Sequence, residues 1–235
     1  MLKHTLRTLR RCVGMAWHLG GHALPVLLHA IRVRRQRGEV VFIDLGAANG
    51  DTAEQAMALW PRLDRLILFE PGRTRFDRLQ QRFGSDKRVE LVRAAAGAET
   101  IESARLYHER PMGDGRYFQG QGDSLLAMKR NIDTSDFEEV QILAFSAFLL
   151  EKTTPNDRVI LKVDIEGGEY DLLEAMCRDR SIERVSRLFC EWHGNKMGIP
   201  AQRHQNLVGA LQRRGLPITG LNRYDEFRLR RREIS

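Results

Sequence analysis

VVFIDLGAANGDT, residues 40–52, is the stretch from which the fold can be read. Val40, Val41, Phe42 and Ile43 run without a polar interruption, the pattern of a strand covered on both faces in a parallel sheet. The run stops at Asp44. Gly46 and Gly50 then bracket a short turn, and Thr52 to Leu59 carries the helix formers Ala53, Glu54, Gln55, Ala56, Met57 and Ala58. A strand, a glycine turn and a helix start together bring bare backbone N–H groups against a ligand. In open α/β sheets the crevice beyond the carboxyl ends of the strands is where cofactors bind. Position 48 is alanine, so the turn is not the G-x-G-x-x-G of dinucleotide binders. Any α/β loop can carry two such glycines, so the reading needs support from the rest of the chain.

That support begins at Leu66-Ile67-Leu68-Phe69-Glu70-Pro71, a second apolar run ending in an acid. Asp44 and Glu70 are 26 residues apart, about one strand–helix–strand unit. An acid at the end of the second strand can accept hydrogen bonds from both hydroxyls of a ribose; a solvated acid before a proline is the plainer alternative. Thr74 to Phe83 predicts an amphipathic helix with Phe76, Leu79 and Phe83 on its buried face. Val89, Leu91 and Val92 predict a third strand, running into a turn at Arg93-Ala94-Ala95-Ala96-Gly97 whose small side chains would let a flat adenine approach the backbone.

Composition sets the frame. The chain has 235 residues, enough for one α/β domain with additions, and its hydrophobic (42%) and charged (29%) contents suit a globular protein. Of 38 Lys/Arg, eight lie in residues 1–38, which hold no Asp or Glu; the remaining 30 face 31 acidic residues. The charge of +7 therefore belongs to an N-terminal extension, and residues 39–235 form a nearly neutral domain. Leu2, Leu6, Leu9 and Val13 predict helix in that extension. Residues 12–31 lack Lys, Arg, Asp and Glu, but three histidines, three glycines and Pro25 make them a poor membrane span, and no A-x-A-like cleavage site follows. A helix packed on the domain, on a second copy in a homodimer or at a membrane surface is the expectation. Cys12, Cys177 and Cys190 show no C-x-x-C spacing, which argues against a disulfide framework and for a reducing cytoplasm.

Residues 101–150 break the strand–helix rhythm. Ala104 to His108 and Val140 to Phe145 predict strands, and glycines 113, 115, 120 and 122 predict a mobile loop over the cofactor, unless it is a plain surface loop. Val159 to Val163 returns to an apolar strand, with Lys162 and Asp164 on one side by alternation. Charge in a buried strand is costly unless paired or functional; Lys162 predicts a structural pair with a carboxylate, while Asp164 and Glu166 face the same crevice as Gly46 and Glu70. The helix Tyr170–Cys177 follows. Arg187 to His193 is a further strand ending in Glu191 and His193. Residues 202–214 predict a helix stopped by Gly215, and Pro217–Leu221 and Phe227–Arg231 predict two closing strands.

Four stretches, FIDLGAANGDT, LFEP, LKVDIEGGEYDLL and CEWHG, together resemble the FkbM family of S-adenosylmethionine-dependent methyltransferases over about residues 40–215. The K-x-D-x-E-G-x-E core at Lys162, Asp164, Glu166, Gly167 and Glu169 is the most specific of them. GQGDSLL at Gly120–Leu126 is similar to a serine-containing segment of that family. One departure is that many members read D-x-G-A-N-x-G, where this chain has Ala48 followed by Asn49. The resemblance implies a class I, Rossmann-like methyltransferase fold: a mostly parallel sheet with helices on both faces, here carrying a hairpin insertion and a helical extension. It implies S-adenosylmethionine held by Asp44, Gly46, Ala47, Ala48, Asn49, Gly50, Asp51, Thr52 and Glu70. Pro71, Ala95 and Asp164 complete the expected cofactor site.

Methyl transfer to a hydroxyl needs alignment and removal of a proton. His193 is the residue type suited to that near neutral pH, unless it only satisfies a loop hydrogen bond; Asp164, Glu191 and Glu166 are the further catalytic candidates. A divalent cation on the strand-end carboxylates is the less favoured route, and no residue is assigned as a metal ligand. The leading expectation is O-methylation of a small molecule or glycan. The basic extension suggests an RNA methyltransferase instead, against which the near-neutral domain and absent RNA-binding motif weigh. A non-catalytic cofactor-binding subunit is the third.

Overall fold

The computed structural model describes residues 38–110, 122–129 and 131–221. The predicted N-terminal helices, the glycines from 113 to 120 and the closing strand Phe227–Arg231 lie outside the described residues. The chain runs β1 (Val40–Leu45), α1 (Asp51–Leu59), β2 (Arg65–Phe69), α2 (Arg73–Phe83), β3 (Val89–Val92), β4 (Ala95–Gly97), β5 (Ile101–Glu109), β6 (Ile132–Ala144), α3 (Phe145–Lys152), β7 (Arg158–Val163), α4 (Glu169–Arg178), a 3₁₀ turn (Ser181–Arg184), β8 (Val185–Cys190), α5 (Ala201–Arg213) and β9 (Ile218–Gly220).

Six strands form one sheet in the order β3-β2-β1-β7-β8-β9, every neighbouring pair parallel. Alternation divides β1 between two cores. Val41, Ile43 and Leu45 face a cluster with Phe145 and Leu149 of α3, Leu173 and Met176 of α4, and Leu207 and Leu211 of α5. Val40 and Phe42 face the other way, onto Ala53 and Ala56 of α1 and Leu79 and Phe83 of α2. The sheet is thus covered by helices on both faces, which is why its strands read as unbroken apolar runs. Chain order reverses between β1 and β7, the switch point where such sheets open a crevice.

The departure from the strand–helix rhythm spans residues 95–144. A second, three-stranded sheet has the order β4-β6-β5, with β5 and β6 an antiparallel hairpin carrying two register shifts. Ala95 to Gly97, predicted as a turn, is a strand of this sheet, held parallel to β6. From Phe145 the chain is back in a helix, so the rhythm resumes before residue 150. Helix α2 also differs from expectation. Its buried positions are Arg75, Leu79 and Phe83, and Phe76 is only half-buried. Arg75 takes the inner position because buried carboxylates wait for it there. Strand β8 ends at Cys190, so Glu191 and His193 leave the sheet at its carboxyl edge. Gly215 stops α5 as predicted, in the left-handed conformation at φ +71°.

Candidate functional site

A cavity of about 710 Å³ opens at the carboxyl ends of β1, β2, β7 and β8. Its floor is the turn after β1. Gly46 and Ala47 donate backbone N–H bonds to the Phe69 carbonyl, at 3.1 and 2.9 Å, and Gly50 donates to Ala47 O at 2.8 Å. Gly46, Ala48 and Gly50 all have positive φ, of 84°, 48° and 84°. Asparagine adopts the left-handed region more readily than alanine, so the order Ala48-Asn49 puts the less suited residue in the turn. Asn49 is used otherwise: its side-chain oxygen accepts from Arg78 at 3.2 Å and its backbone carbonyl from Arg82, tying the turn to α2.

Glu70 stands where β2 ends, 2% exposed. One oxygen accepts from Ala48 N–H and the other from Gly72 N–H, both at 2.9 Å, and Arg75 lies 3.5 Å away. Each carboxylate oxygen has a second acceptor site; Oε1 faces Arg75 with its own, and Oε2 can take a further donor from the cavity. Burial pushes its carboxyl above the ordinary range, against the pull of Arg75 and the two backbone N–H groups. Arg75 also pairs with Asp123 at 2.5 Å, and His108 Nδ1 lies 3.1 Å from the same carboxylate. This network fixes residues 122–126 beside the cavity, where Leu125 and Leu126 join Ile101, Leu106 and Ile142 of the hairpin as an apolar wall.

Lys162 crosses beneath the cavity. Its ammonium meets Asp44 at 2.9 Å, Asp164 at 3.2 Å and the Gly46 carbonyl at 2.9 Å. Burial raises the fully enclosed Asp44 carboxyl to about 6, with Lys162 holding back a further rise. Burial opposes the Lys162 charge as well, but Asp44 and Asp164 outweigh it and hold its proton more tightly than in a free lysine. The pair is ionic at neutral pH.

The far end of the cavity is acidic. Asp164, Glu166 and Glu191 line it, and His193 lies behind them at 1% exposure. His193 Nδ1 is 2.8 Å from Oε1 of Glu169, which is fully buried and also accepts from Ile165 and Gly167 N–H. Nε2 of His193 points at Glu166 Oε2 (3.3 Å), Glu191 Oε1 (3.6 Å) and Asp164 Oδ1 (4.0 Å), without a hydrogen bond to any described residue. Burial works against a charged His193, yet Glu169, Glu166 and Asp164 raise its proton affinity overall. Burial and the Asp164 charge raise Glu191. Glu166, in a left-handed conformation at φ +53°, is pinned by Ser124, which donates to its carbonyl at 2.8 Å, and by Lys129, 2.7 Å from its carboxylate.

Of the residues expected at the cofactor, Gly46, Ala47, Ala48, Asn49, Asp51 and Thr52 line the cavity, as do Glu70, Pro71, Ala95 and Asp164. Asp44 and Gly50 do not. Asp44 is enclosed within β1 against Lys162, and Gly50 packs on Phe83, which a Cβ there would meet at 2.3 Å. The cavity's size, the carboxylate of Glu70 and the small side chains of Ala94, Ala95 and Ala96 fit a nucleoside cofactor such as S-adenosylmethionine. Arg75, Asp123 and Lys129 went unread in the sequence, since an arginine on a polar helix and two charges beside a glycine loop carry no periodic signal.

A parallel sheet with its crevice at the switch point, an acid at the second strand end and a ligand-sized cavity define a Rossmann-like α/β protein. Residues 44–216 match the Methyltransferase FkbM domain, and the chain belongs to that methyltransferase family. No curated protein matches the sequence. Among solved structures it is similar to methyltransferase FkbM from Methylobacillus flagellatus KT, at 15% identity over 75% of this chain and 45% of that one, with a TM-score of 0.38. It is also similar to precorrin-6y C5,15-methyltransferase from Geobacter metallireducens GS-15, at 14% identity over 81% and 71% of the two chains, with a TM-score of 0.37. The chain thus spans less than half the length of the first of these proteins.

Proposed function

We propose that the protein is an S-adenosylmethionine-dependent O-methyltransferase acting on a hydroxyl of a small molecule or glycan. The observation that carries this is Glu70, an acid at the end of the second strand that lines the cavity and is held in place by the Ala48 and Gly72 N–H groups and by Arg75, its carboxylate serving as acceptor for the ribose hydroxyls. Ala95 and its neighbours leave room for a flat base beside it, and the turn from Gly46 to Asn49 backs the remainder of the cofactor. The bound cofactor supplies an electrophilic methyl group: its S–CH₃ bond breaks as the O–CH₃ bond forms, and the bonding pair stays on sulfur. The protein's own task is to align the acceptor oxygen and receive its proton. Asp164 and Glu191, at the opposite end of the cavity from Glu70, are the carboxylates that receive it. A free thiol at Cys177 agrees with a cytoplasmic site of action, and no helix among the described residues is long and apolar enough to cross a membrane.

Calorimetric titration with S-adenosylhomocysteine tests the cofactor, with saturable binding below millimolar concentration expected. No binding removes the reading. Binding without turnover on a panel of hydroxylated acceptors returns the protein to a cofactor-binding subunit without catalysis.

A further inference from the structure

We propose that Asp164, Glu191 and His193 form a site for one divalent metal ion, of which Mn²⁺ is the probe of choice. The metal-binding atoms of these three side chains lie within 4.8 Å of one another. The observation pointing to a cation is His193 itself. It is enclosed, Nδ1 is committed to Glu169, and Nε2 has no hydrogen bond to any described residue while it faces carboxylate oxygens. With the proton on Nδ1, as the Glu169 contact favours, the Nε2 lone pair points at the lone pairs of Asp164 and Glu191. Electron-rich atoms converging on one point need a positive centre between them. An imidazole whose far nitrogen is fixed by a carboxylate is the arrangement that orients histidine ligands at metal centres.

The distances suit an ion better than direct contact. Ligand atoms about 2.1 Å from a shared ion are about 3.0–3.4 Å apart when adjacent, and further when opposed. Glu191 Oε1 is 3.6 Å from Nε2 and Asp164 Oδ1 is 4.0 Å from it, so closure by a few tenths of an ångström completes the set. Neither Lys162 nor Lys129 competes for these atoms, and a third lysine, Lys196, lies 3.8 Å from Glu166. Lys162 pairs with Oδ2 of Asp164, leaving Oδ1 turned toward the histidine, and Lys129 pairs with Glu166, which is therefore not a ligand. Two carboxylates with one imidazole suit a first-row divalent ion over Ca²⁺, which prefers all-oxygen shells. Asp164 and Glu191 also line the cavity, so the remaining coordination positions face it. In the methyl-transfer reading, on which this last point rests, those positions take an acceptor with two neighbouring oxygens, such as a vicinal diol or a hydroxyl beside a carbonyl.

The test uses the full chain, stripped with EDTA and titrated with Mn²⁺ alone, free Mn²⁺ being read by electron paramagnetic resonance. One Mn²⁺ per chain is expected, with a tenfold or greater loss of affinity in Asp164→Asn, Glu191→Gln and His193→Ala. Glu169→Gln, which removes the charge beside His193 Nδ1 and keeps an oxygen for the Ile165 and Gly167 N–H groups, is expected to cost on the order of 10–100-fold. Circular dichroism identifies any variant that has not folded; Glu191→Gln, at a part-exposed position, decides the matter if the others fail. No saturable binding below 1 mM (roughly the ceiling for a functional site), or binding unchanged in Glu191→Gln, overturns the proposal and leaves a proton as the only occupant of Nε2. The measurement needs no cofactor: metal binding without S-adenosylhomocysteine binding removes the methyl-transfer reading alone, and the reverse result removes the metal alone.

Discussion

Alanine in place of Gly46 probes how the cavity floor is held. Gly46 has φ +84°, and a Cβ built on it would lie 2.0 Å from the Asp164 carbonyl oxygen. Two costs arise. An L-residue forced into the left-handed region loses about 1 kcal/mol. The overlap adds more, because the contact must open by about 1 Å and both partners are backbone; expansions of a packed interior cost about 1–3 kcal/mol. Neither partner can swing away, since Gly46 N–H is bonded to Phe69 O and Asp164 N–H to Leu45 O. Gly46→Ala is therefore expected to lose about 2–4 kcal/mol. Gly215 supplies the control: its φ is +71°, with nothing within 4 Å of the same added atom, so Gly215→Ala bears only the first cost. For a chain of this length each kcal/mol shifts Tm by about 2–4 °C. Thermal unfolding followed by circular dichroism should thus show a drop of about 4–16 °C for Gly46→Ala, two to four times the drop of about 2–4 °C for Gly215→Ala. Equal drops in the two variants would refute the argument, because the close approach to β7 would then cost nothing.

Glu70 sets a pH dependence. On the proposed reading a ribose donates to the ionised carboxylate, and burial pushes the Glu70 carboxyl above its ordinary 4.5. Affinity for S-adenosylhomocysteine is accordingly full above that raised value and is lost as pH falls through it, earlier than an ordinary glutamate would allow. Glu70→Ala is expected to flatten this profile and weaken binding on the order of 100-fold at neutral pH, from two charge-assisted hydrogen bonds at about 1.5 kcal/mol each; calorimetry across pH reads both, and coincident profiles would count against the ribose assignment. Ala48, at φ +48°, offers a gain instead: Ala48→Gly should raise stability by roughly 0.5–1 kcal/mol in urea unfolding, and a loss of that size would show the turn to be unstrained.

How much of this was legible depended on where each residue's partners lie. Strands β1, β2 and β7 could be read because a parallel strand covered on both faces is a plain apolar run. Strand β6 was read as Val140–Phe145 alone. Its first half, with exposed Thr134, Ser135 and Asp136, lies in a half-covered hairpin and reads as a loop. Ala95 to Gly97 gave no strand signal because three small residues owe their conformation to β6, about 47 positions on. Arg75 followed the same logic: an arginine looks solvent-facing until Glu70 and Asp123 are known to meet it. At the site, strands that end in acids were enough to place Asp164 and Glu166, after β7, and Glu191, after β8, at the carboxyl edge of the sheet. They were not enough to place His193 behind them, since that depends on Glu169 reaching back across the start of α4.

The reversal of chain order between β1 and β7 also governs how the molecule is made. Strand β1 pairs early with β2, its neighbour in sequence, but its other edge waits for β7, with Val40 opposite Arg158. During synthesis the half-sheet β3-β2-β1 emerges with a bare apolar edge, and contacts of such long separation form slowly and expose nascent chains to aggregation. The cavity is split by the same seam: Glu70 and the turn belong to the early half, Asp164 and Glu191 to the late one. A molecule spanning the cavity therefore binds only chains whose second half has docked. At a hundred times its dissociation constant it adds about 2.7 kcal/mol to that docking, so the ligand serves the assembly of its own binding site.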